Sequence, residues 1–169
     1  ADRPAIVATD TISAFALILN SVINDKGVAL TQISNFWFDY TRDMVPNHIL
    51  SATPAGLPQQ YEKRTVLVKK LKMLPFEFTV RGYMFGGLWK EHQAAGSYCG
   101  KTYQLAEKLP APVLTPSAKK SQGHDENITL GRLQKELGPE ETERICGICL
   151  RLYVACSEYA LKKGIIIAD

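Results

Sequence analysis

The segment that most constrains this chain is residues 139–163, where a start signal, a stop signal and an apolar face all agree on one long helix. Pro139 suits a first helical turn, where a backbone N–H is not needed. Glu140, Glu141 and Glu143 favour the positive end of the helix dipole and Lys162 and Lys163 the negative end. Gly164 stands where a left-handed C′ residue belongs. Ile145, Cys149, Leu152, Cys156 and Tyr159 share one face.

The first half of the chain reads differently. Ala5-Ile6-Val7-Ala8-Thr9 is a short apolar strand closed by Asp10-Thr11, and residues 65–71 form a second strand by their β-branched content. In the next strand Phe76, Phe78 and Val80 alternate with Glu77, Thr79 and Arg81, so aromatics face a core and charges face away, and Gly86-Gly87 ends it. Thr31 reads as an N-cap, followed by Ile33, Phe36, Trp37, Tyr40 and Met44 as the buried stripe of a helix. Pro110, Pro112 and Pro116 break up the stretch up to Asn127, which reads as a long polar loop. The order predicts an α+β fold, sheet-rich first and more helical later.

The 169 residues, 46% apolar and 22% charged, suit about one globular domain. A net charge of +3 with interspersed signs argues against nucleic acid as the main partner and leaves small anions open. No apolar run reaches the roughly 20 residues a membrane span needs, and the first residues lack the basic and apolar regions of a secretory signal. The chain therefore reads as cytoplasmic. Because it starts at Ala1 and its last six residues, 164–169, look like a strand breaking off, it also reads as a fragment.

Several motifs have ordinary explanations. Residues 95–102 fit a relaxed phosphate-loop pattern but lack a strand before and a helix after, so they read as a surface turn. Cys146 and Cys149 have dithiol spacing but fall inside a helix, where small apolar cysteines are commonly buried. Four cysteines and three histidines make a weak zinc set, and Asn127-Ile128-Thr129 carries no weight as a glycosylation acceptor without a secretory signal. Two groups point to chemistry. Lys119 and Lys120 share a loop with His124, Asp125, Glu126 and Asn127, combining cations with the hard oxygens that phosphates and Mg²⁺ require. Arg81 stands just before the Gly82, Gly86 and Gly87 bend, where a guanidinium beside bare backbone N–H groups makes an anion clamp. An ordinary cross-strand pair, with Glu77 or a neighbour, is the other reading of Arg81.

Seven blocks then occur in a recognisable order. They are residues 9–15, 26–31, 36–38, 67–83, 114–119, 123–127 and 163–169, including Lys69-Lys70-Leu71-Lys72-Met73, Thr79-Val80-Arg81-Gly82-Tyr83 and Gly123-His124-Asp125-Glu126-Asn127. Together they closely resemble the phosphoribosylaminoimidazole-succinocarboxamide synthases of the single-function fungal and bacterial type. The resemblance implies a two-lobed ATP-binding fold, similar to ATP-grasp enzymes and kinases, with residues 1–72 in the ATP-binding lobe and 73–169 in the substrate-binding lobe. It implies a ligase of purine biosynthesis that joins carboxyaminoimidazole ribonucleotide to L-aspartate, using ATP and Mg²⁺, and leaves room for a homo-oligomer.

By position, the resemblance gives Lys70, Leu71 and Met73 to the adenine hinge and Lys119 to the ATP phosphates. Arg81, Gly86, Gly87 and His124 fall to the ribonucleotide. Asp125 and Asp169 fall to catalysis beside the reacting carboxylate. The chain departs from the pattern at Gly87, where the family has Ser, at Ala16, where it usually has Asp, and at Thr11, where many members have Arg. The family's N-terminal phosphate loop would precede Ala1, and its Mg²⁺ ligands would follow Asp169, so no metal ligand is assigned and the fragment alone is expected to be inactive. Gly87 and Ala16 motivate the alternative of a non-catalytic nucleotide-binding relative.

Overall fold

The computed structural model describes residues 3–14, 17–119 and 125–169, and the chain divides into two units, Ala1–Leu74 and Pro75–Asp169. Ala16, Lys120 and His124 lie outside the described residues. Every strand pairing among the described residues is antiparallel, and the long helix lies in the second unit, giving an α+β fold.

In the first unit β1 (Ala5–Val7) and β4 (Ile49–Ser51) flank β5 (Thr65–Val68), with Ile6 opposite Val66 and Ile49 opposite Val68. The predicted strands are thus each shorter than their apolar runs. A separate hairpin joins β2 (Thr11–Ala14) to β3 (Leu17–Val22). Helix α1 (Lys26–Tyr40) begins well before Thr31. Thr31 is no cap: it is buried inside the helix, and its hydroxyl donates to the Gly27 carbonyl at 2.8 Å.

The stripe of Ile33, Phe36, Tyr40 and Met44 is solvent-exposed rather than buried, and Phe36, Trp37 and Tyr40 pack on one another. Thr31, Asn35 and Phe38 turn to the sheet instead, lining a cleft of about 240 Å³ with Ile6, His48 and Val66. The reason is a close approach elsewhere. A Cβ on Gly27 would lie 2.4 Å from the Ala8 carbonyl oxygen, so only glycine lets α1 start against the end of β1. That contact sets the rotation of the helix, which apolar periodicity alone does not specify.

Asp10 holds the same junction from its other side. Its Oδ1 accepts the Gly27 N–H at 2.8 Å, satisfying a helix donor that no local cap reaches. Arg64 pairs with it at 3.0 Å, and its backbone carbonyl accepts the Ile23 N–H. The Gly27 hydrogen bond first, and Arg64 with it, hold the Asp10 carboxyl below its ordinary value.

In the second unit β6 (Phe76–Tyr83) pairs with β7 (Lys108–Ala118), and β7 with the short β8 (Glu126–Asn127). The alternation in β6 holds for Phe76 and Val80, which are buried, and for Glu77, which is exposed, but Arg81 on the face of Glu77 is mostly buried by its partners. The proline-rich stretch is not a loop but the central strand. Pro110 and Pro112 fall where the register shifts between Val113 and Lys108. Pro116 turns its missing N–H away from β6, and its carbonyl accepts the Ile128 N–H. Prolines placed at a bulge and on the sparsely paired side cost the ladder almost nothing.

Gly86 and Gly87 do more than end β6: they open α2 (Gly86–Ala95), whose Leu88 joins Met84, Tyr103 and Leu109 in the core. Thr129 caps α3 (Leu130–Leu137), its hydroxyl accepting the Arg132 N–H. Helix α4 (Pro139–Leu161) packs across β6 and β7. It closes as expected, with Gly164 left-handed, its N–H on the Leu161 carbonyl and that of Ile165 on Ala160. The last residues form no strand; Ala168 accepts the Gly82 N–H, and Ile167 accepts the Tyr153 hydroxyl.

Asp10→Asn should lower the thermal midpoint of the chain at neutral pH, because an amide cannot form the ion pair with Arg64. A carboxyl with a lowered folded pKa stabilises fully above its unfolded value of about pH 4, and that stabilisation fades as the pH falls through the folded value. Melting curves of both proteins should therefore differ at pH 7 and converge in acid; a gap that persists well below pH 4 would contradict this account.

Candidate functional site

The polar face of the β6–β7 pair carries the site. Thr79 stands opposite Thr115, and Arg81 lies two residues further on the same face. The Thr115 hydroxyl donates to the Thr79 carbonyl at 3.1 Å and accepts Nε–H of Arg81 at 3.2 Å. A terminal nitrogen of Arg81 forms a close ion pair with Asp169. Arg81 thus pairs with the chain's last described segment and, across the strands, with Thr115 of β7, so of the cross-strand reading it is the neighbour rather than Glu77 that appears.

Above the guanidinium lies the start of α2. Gly86 has φ +59, which favours glycine, and a Cβ there would meet an Arg81 terminal nitrogen at 2.7 Å and push the guanidinium from its place. Gly87 differs. A Cβ at 87 would lie 3.7 Å from Asn127 Nδ2 and 3.8 Å from an Arg81 nitrogen, which is ordinary contact. Asn127 in turn donates to Glu91 at 2.6 Å. Among the described residues no side chain caps the N-terminus of α2, whose first N–H groups are thus placed to donate. Arg81, Gly86 and Gly87, named together from the sequence, form one cluster with Asp169, named apart from them.

The other expected site residues that the structure describes come from other stretches of the chain. Lys119, exposed at the end of β7, donates its N–H to Pro75, and Asp125 is exposed just before β8. Lys70, Leu71 and Met73 follow β5 outside any regular element, with Met73 exposing 80% of its surface. Thr115 escaped the sequence reading as a site residue, and Asn127 entered it only as a member of the loop that begins at Lys119. The Thr-Pro-Ser and Asp-Glu-Asn runs that contain them offered the only signal.

The motifs given ordinary explanations keep them. Tyr98 and Lys101 close a tight turn around Cys99 and Gly100, both with positive φ, and α2 precedes it, so no phosphate loop exists there. Cys146, Cys149 and Cys156 are part-buried in α4, and burial pushes their thiols up, opposite to a redox centre. His92 is buried, accepts the Tyr103 N–H at Nε2 and stacks on Trp89. Among the described residues no three His, Cys, Asp or Glu side chains converge to hold a metal ion, and Asp169 already faces Arg81. The described residues therefore do not make a Mg²⁺ site by themselves.

Antiparallel sheets, a long closing helix and a guanidinium seated beside the start of α2 define an α+β protein. Comparison with known proteins narrows this. The family model described as SAICAR synthetase matches residues 1–169, and the chain belongs to that family. A phosphoribosylaminoimidazole-succinocarboxamide synthase from Methylobacillus flagellatus is 45% identical over 175 residues, covering 97% of this chain and 59% of the relative. One from Lachnospira eligens is 44% identical, covering 99% of this chain and 62% of the relative. The solved SAICAR-synthase from Saccharomyces cerevisiae, complexed with SAICAR, superposes with a TM-score of 0.82 at 36% identity over 97% of this chain and 59% of its own. The chain thus spans about three fifths of the length of these relatives.

The two glycines should respond differently to serine. Gly86→Ser forces a left-handed serine against the guanidinium and should destabilise by about 1–3 kcal/mol, whereas Gly87→Ser should stay within about 0.5 kcal/mol of the parent. Urea titrations of the two variants decide it, and equal effects would refute the geometry.

Proposed function

We propose that the protein works as an ATP-dependent ligase of purine biosynthesis in the cytoplasm, joining carboxyaminoimidazole ribonucleotide to L-aspartate with release of ADP and phosphate. The observation that carries this is the Arg81 guanidinium held beside Gly86 at the uncapped start of α2, a seat shaped for the phosphate of a ribonucleotide. It agrees with the sequence match along the whole chain and with the yeast relative's complex with SAICAR. No helix among the described residues is long and apolar enough to cross a membrane.

In this reading Lys70, Leu71 and Met73 receive adenine, and Lys119 meets the ATP phosphates. The exposed thioether of Met73 offers a polarizable surface to a ring. Arg81, with the first N–H groups of α2, binds the ribonucleotide phosphate, and His124 belongs to the same substrate. Asp125 and Asp169 act next to the reacting carboxylate; the pair with Arg81 ties Asp169 to the phosphate seat.

The chemistry explains why charge and position dominate. A carboxylate acylates poorly, so ATP supplies a γ-phosphoryl group to its oxygen and ADP leaves. The aspartate amine then attacks the acyl carbon, phosphate departs, and the amine loses a proton. Both steps move negative charge with little covalent participation by protein, so fixed cations and oriented N–H donors contribute most. The residues on hand bind, orient and neutralise.

Gly87 does not favour the non-catalytic alternative. It leaves space between two nitrogen donors, so the loss of a serine hydroxyl does not close the seat.

The protein as its own cell makes it should form ADP and the succinocarboxamide product from ATP, aspartate and the carboxylated ribonucleotide; absence of both products would sink the assignment. Arg81→Ala should weaken ribonucleotide binding by about 10- to 100-fold, the usual cost of losing a charge-assisted bond, and leave ATP binding unchanged in calorimetric titrations.

A further inference from the structure

We propose that Thr115 is a positioning residue for Arg81, one that dictates which edge of the guanidinium meets an anion. The inference rests on the phosphate-binding role proposed for Arg81 and adds how that role is oriented.

A guanidinium offers two bidentate edges to an oxyanion: one made of Nε and a terminal nitrogen, the other of the two terminal nitrogens. In this chain Nε–H already donates to the Thr115 hydroxyl at 3.2 Å. That hydroxyl has a single proton, which it gives to the Thr79 carbonyl at 3.1 Å, so only its lone pairs face Arg81. The donor direction along Arg81, Thr115 and Thr79 is thereby unambiguous. Thr79 and Thr115 stand directly opposite each other in the β6–β7 ladder, so the acceptor is fixed by backbone register, not by a mobile side chain. The Arg81 side chain keeps only 14% of its surface exposed, which leaves it little freedom to turn.

With Nε engaged, the terminal nitrogens are left as the binding edge. One of them contacts Asp169, and the terminal nitrogens are also the Arg81 atoms nearest the Cβ positions of Gly86 and Gly87. The edge that Thr115 spares is therefore the edge that faces the start of α2. Without the Thr115 hydroxyl, Nε–H would seek another acceptor and the guanidinium would rotate about its long axis, presenting the side edge instead.

Two variants separate orientation from packing. Thr115→Val keeps the branched shape and removes the acceptor, while Thr115→Ser keeps the acceptor. In the ligand-free chain, nitrogen-15 NMR of the Arg81 side chain should show faster Nε–H exchange in Thr115→Val and parental exchange in Thr115→Ser. In calorimetry, 5-aminoimidazole-4-carboxamide ribonucleotide should bind more tightly than its nucleoside. Thr115→Val should cut that preference by about five- to tenfold, the scale of one hydrogen bond, with nucleoside affinity unchanged and Thr115→Ser close to the parent.

Arg81→Ala is the control. If it abolishes the preference while Thr115→Val keeps both the preference and slow Nε–H exchange, positioning by Thr115 is wrong and the phosphate role of Arg81 stands. If the parent shows no preference, or Arg81→Ala retains it, the phosphate role fails and the positioning inference fails with it. A loss shared equally by nucleotide and nucleoside in Thr115→Val would mark Thr115 as merely structural and overturn the proposal.

Discussion

A positive charge kept mostly out of water has to be met on every side, and the second unit is organised around meeting one. The guanidinium of Arg81 takes an oxygen from β7 through Thr115, a carboxylate from the chain's last segment through Asp169, and a glycine at the start of α2 that lets it lie close to backbone. Each of those partners comes from a different stretch of sequence. The β6–β7 register places Thr115, the Gly82 to Ala168 backbone bond guides the tail that brings Asp169, and the sharp turn at Gly86 starts the helix at the right height. Without the charge, Thr115 and Asp169 would lose the partner that joins them.

The first unit has a counterpart of opposite sign. Asp10 ties the start of α1 to Arg64 just before β5, while its carbonyl holds the end of the hairpin. Both arrangements solve one problem: the N–H groups at the start of a helix need acceptors that the helix cannot supply. At α1 the protein supplies a carboxylate from elsewhere in the chain. At α2 no side chain among the described residues does so, and a guanidinium lies beside the start instead. A helix start satisfied from within is structural, and one left with donors and reinforced by a cation is suited to receive an anion from outside.

How much of this could be read beforehand depends on whether the deciding contacts are local. Helix α4 was legible because Pro139, the glutamates of its first turns and Gly164 each act within a few residues of themselves. The inward face of α1 was not, because the approach of Gly27 to Ala8 outweighed an aromatic stripe with the correct period. Strand β7 was missed for a related reason. Prolines forbid a central strand only where the missing N–H faces a partner, and that depends on register and on a bulge that a single sequence does not display. Within the site, Arg81, Gly86 and Gly87 stood out because they are near neighbours in sequence. Thr115 did not, and Asn127 did so only with the loop that holds it, since the pairing of strands is what brings both there.

The Arg81–Asp169 pair also bears on how strongly an anion can bind. One positive and one negative charge in contact are already close to neutral, so a phosphate that reaches the terminal nitrogens exchanges with a carboxylate and does not simply add to a bare cation. The affinity is then the difference between two charge-assisted pairings and is smaller than either alone. The N–H donors at the start of α2 shift that balance, because they face the helix axis and have no carboxylate partner to lose. A carboxylate has two oxygens and no fixed tether beyond its own chain, whereas a phosphate offers three oxygens and reaches guanidinium and helix start together. Recognition in such a seat depends on geometry that a single carboxylate cannot match, which favours a phosphate over smaller anions of equal charge.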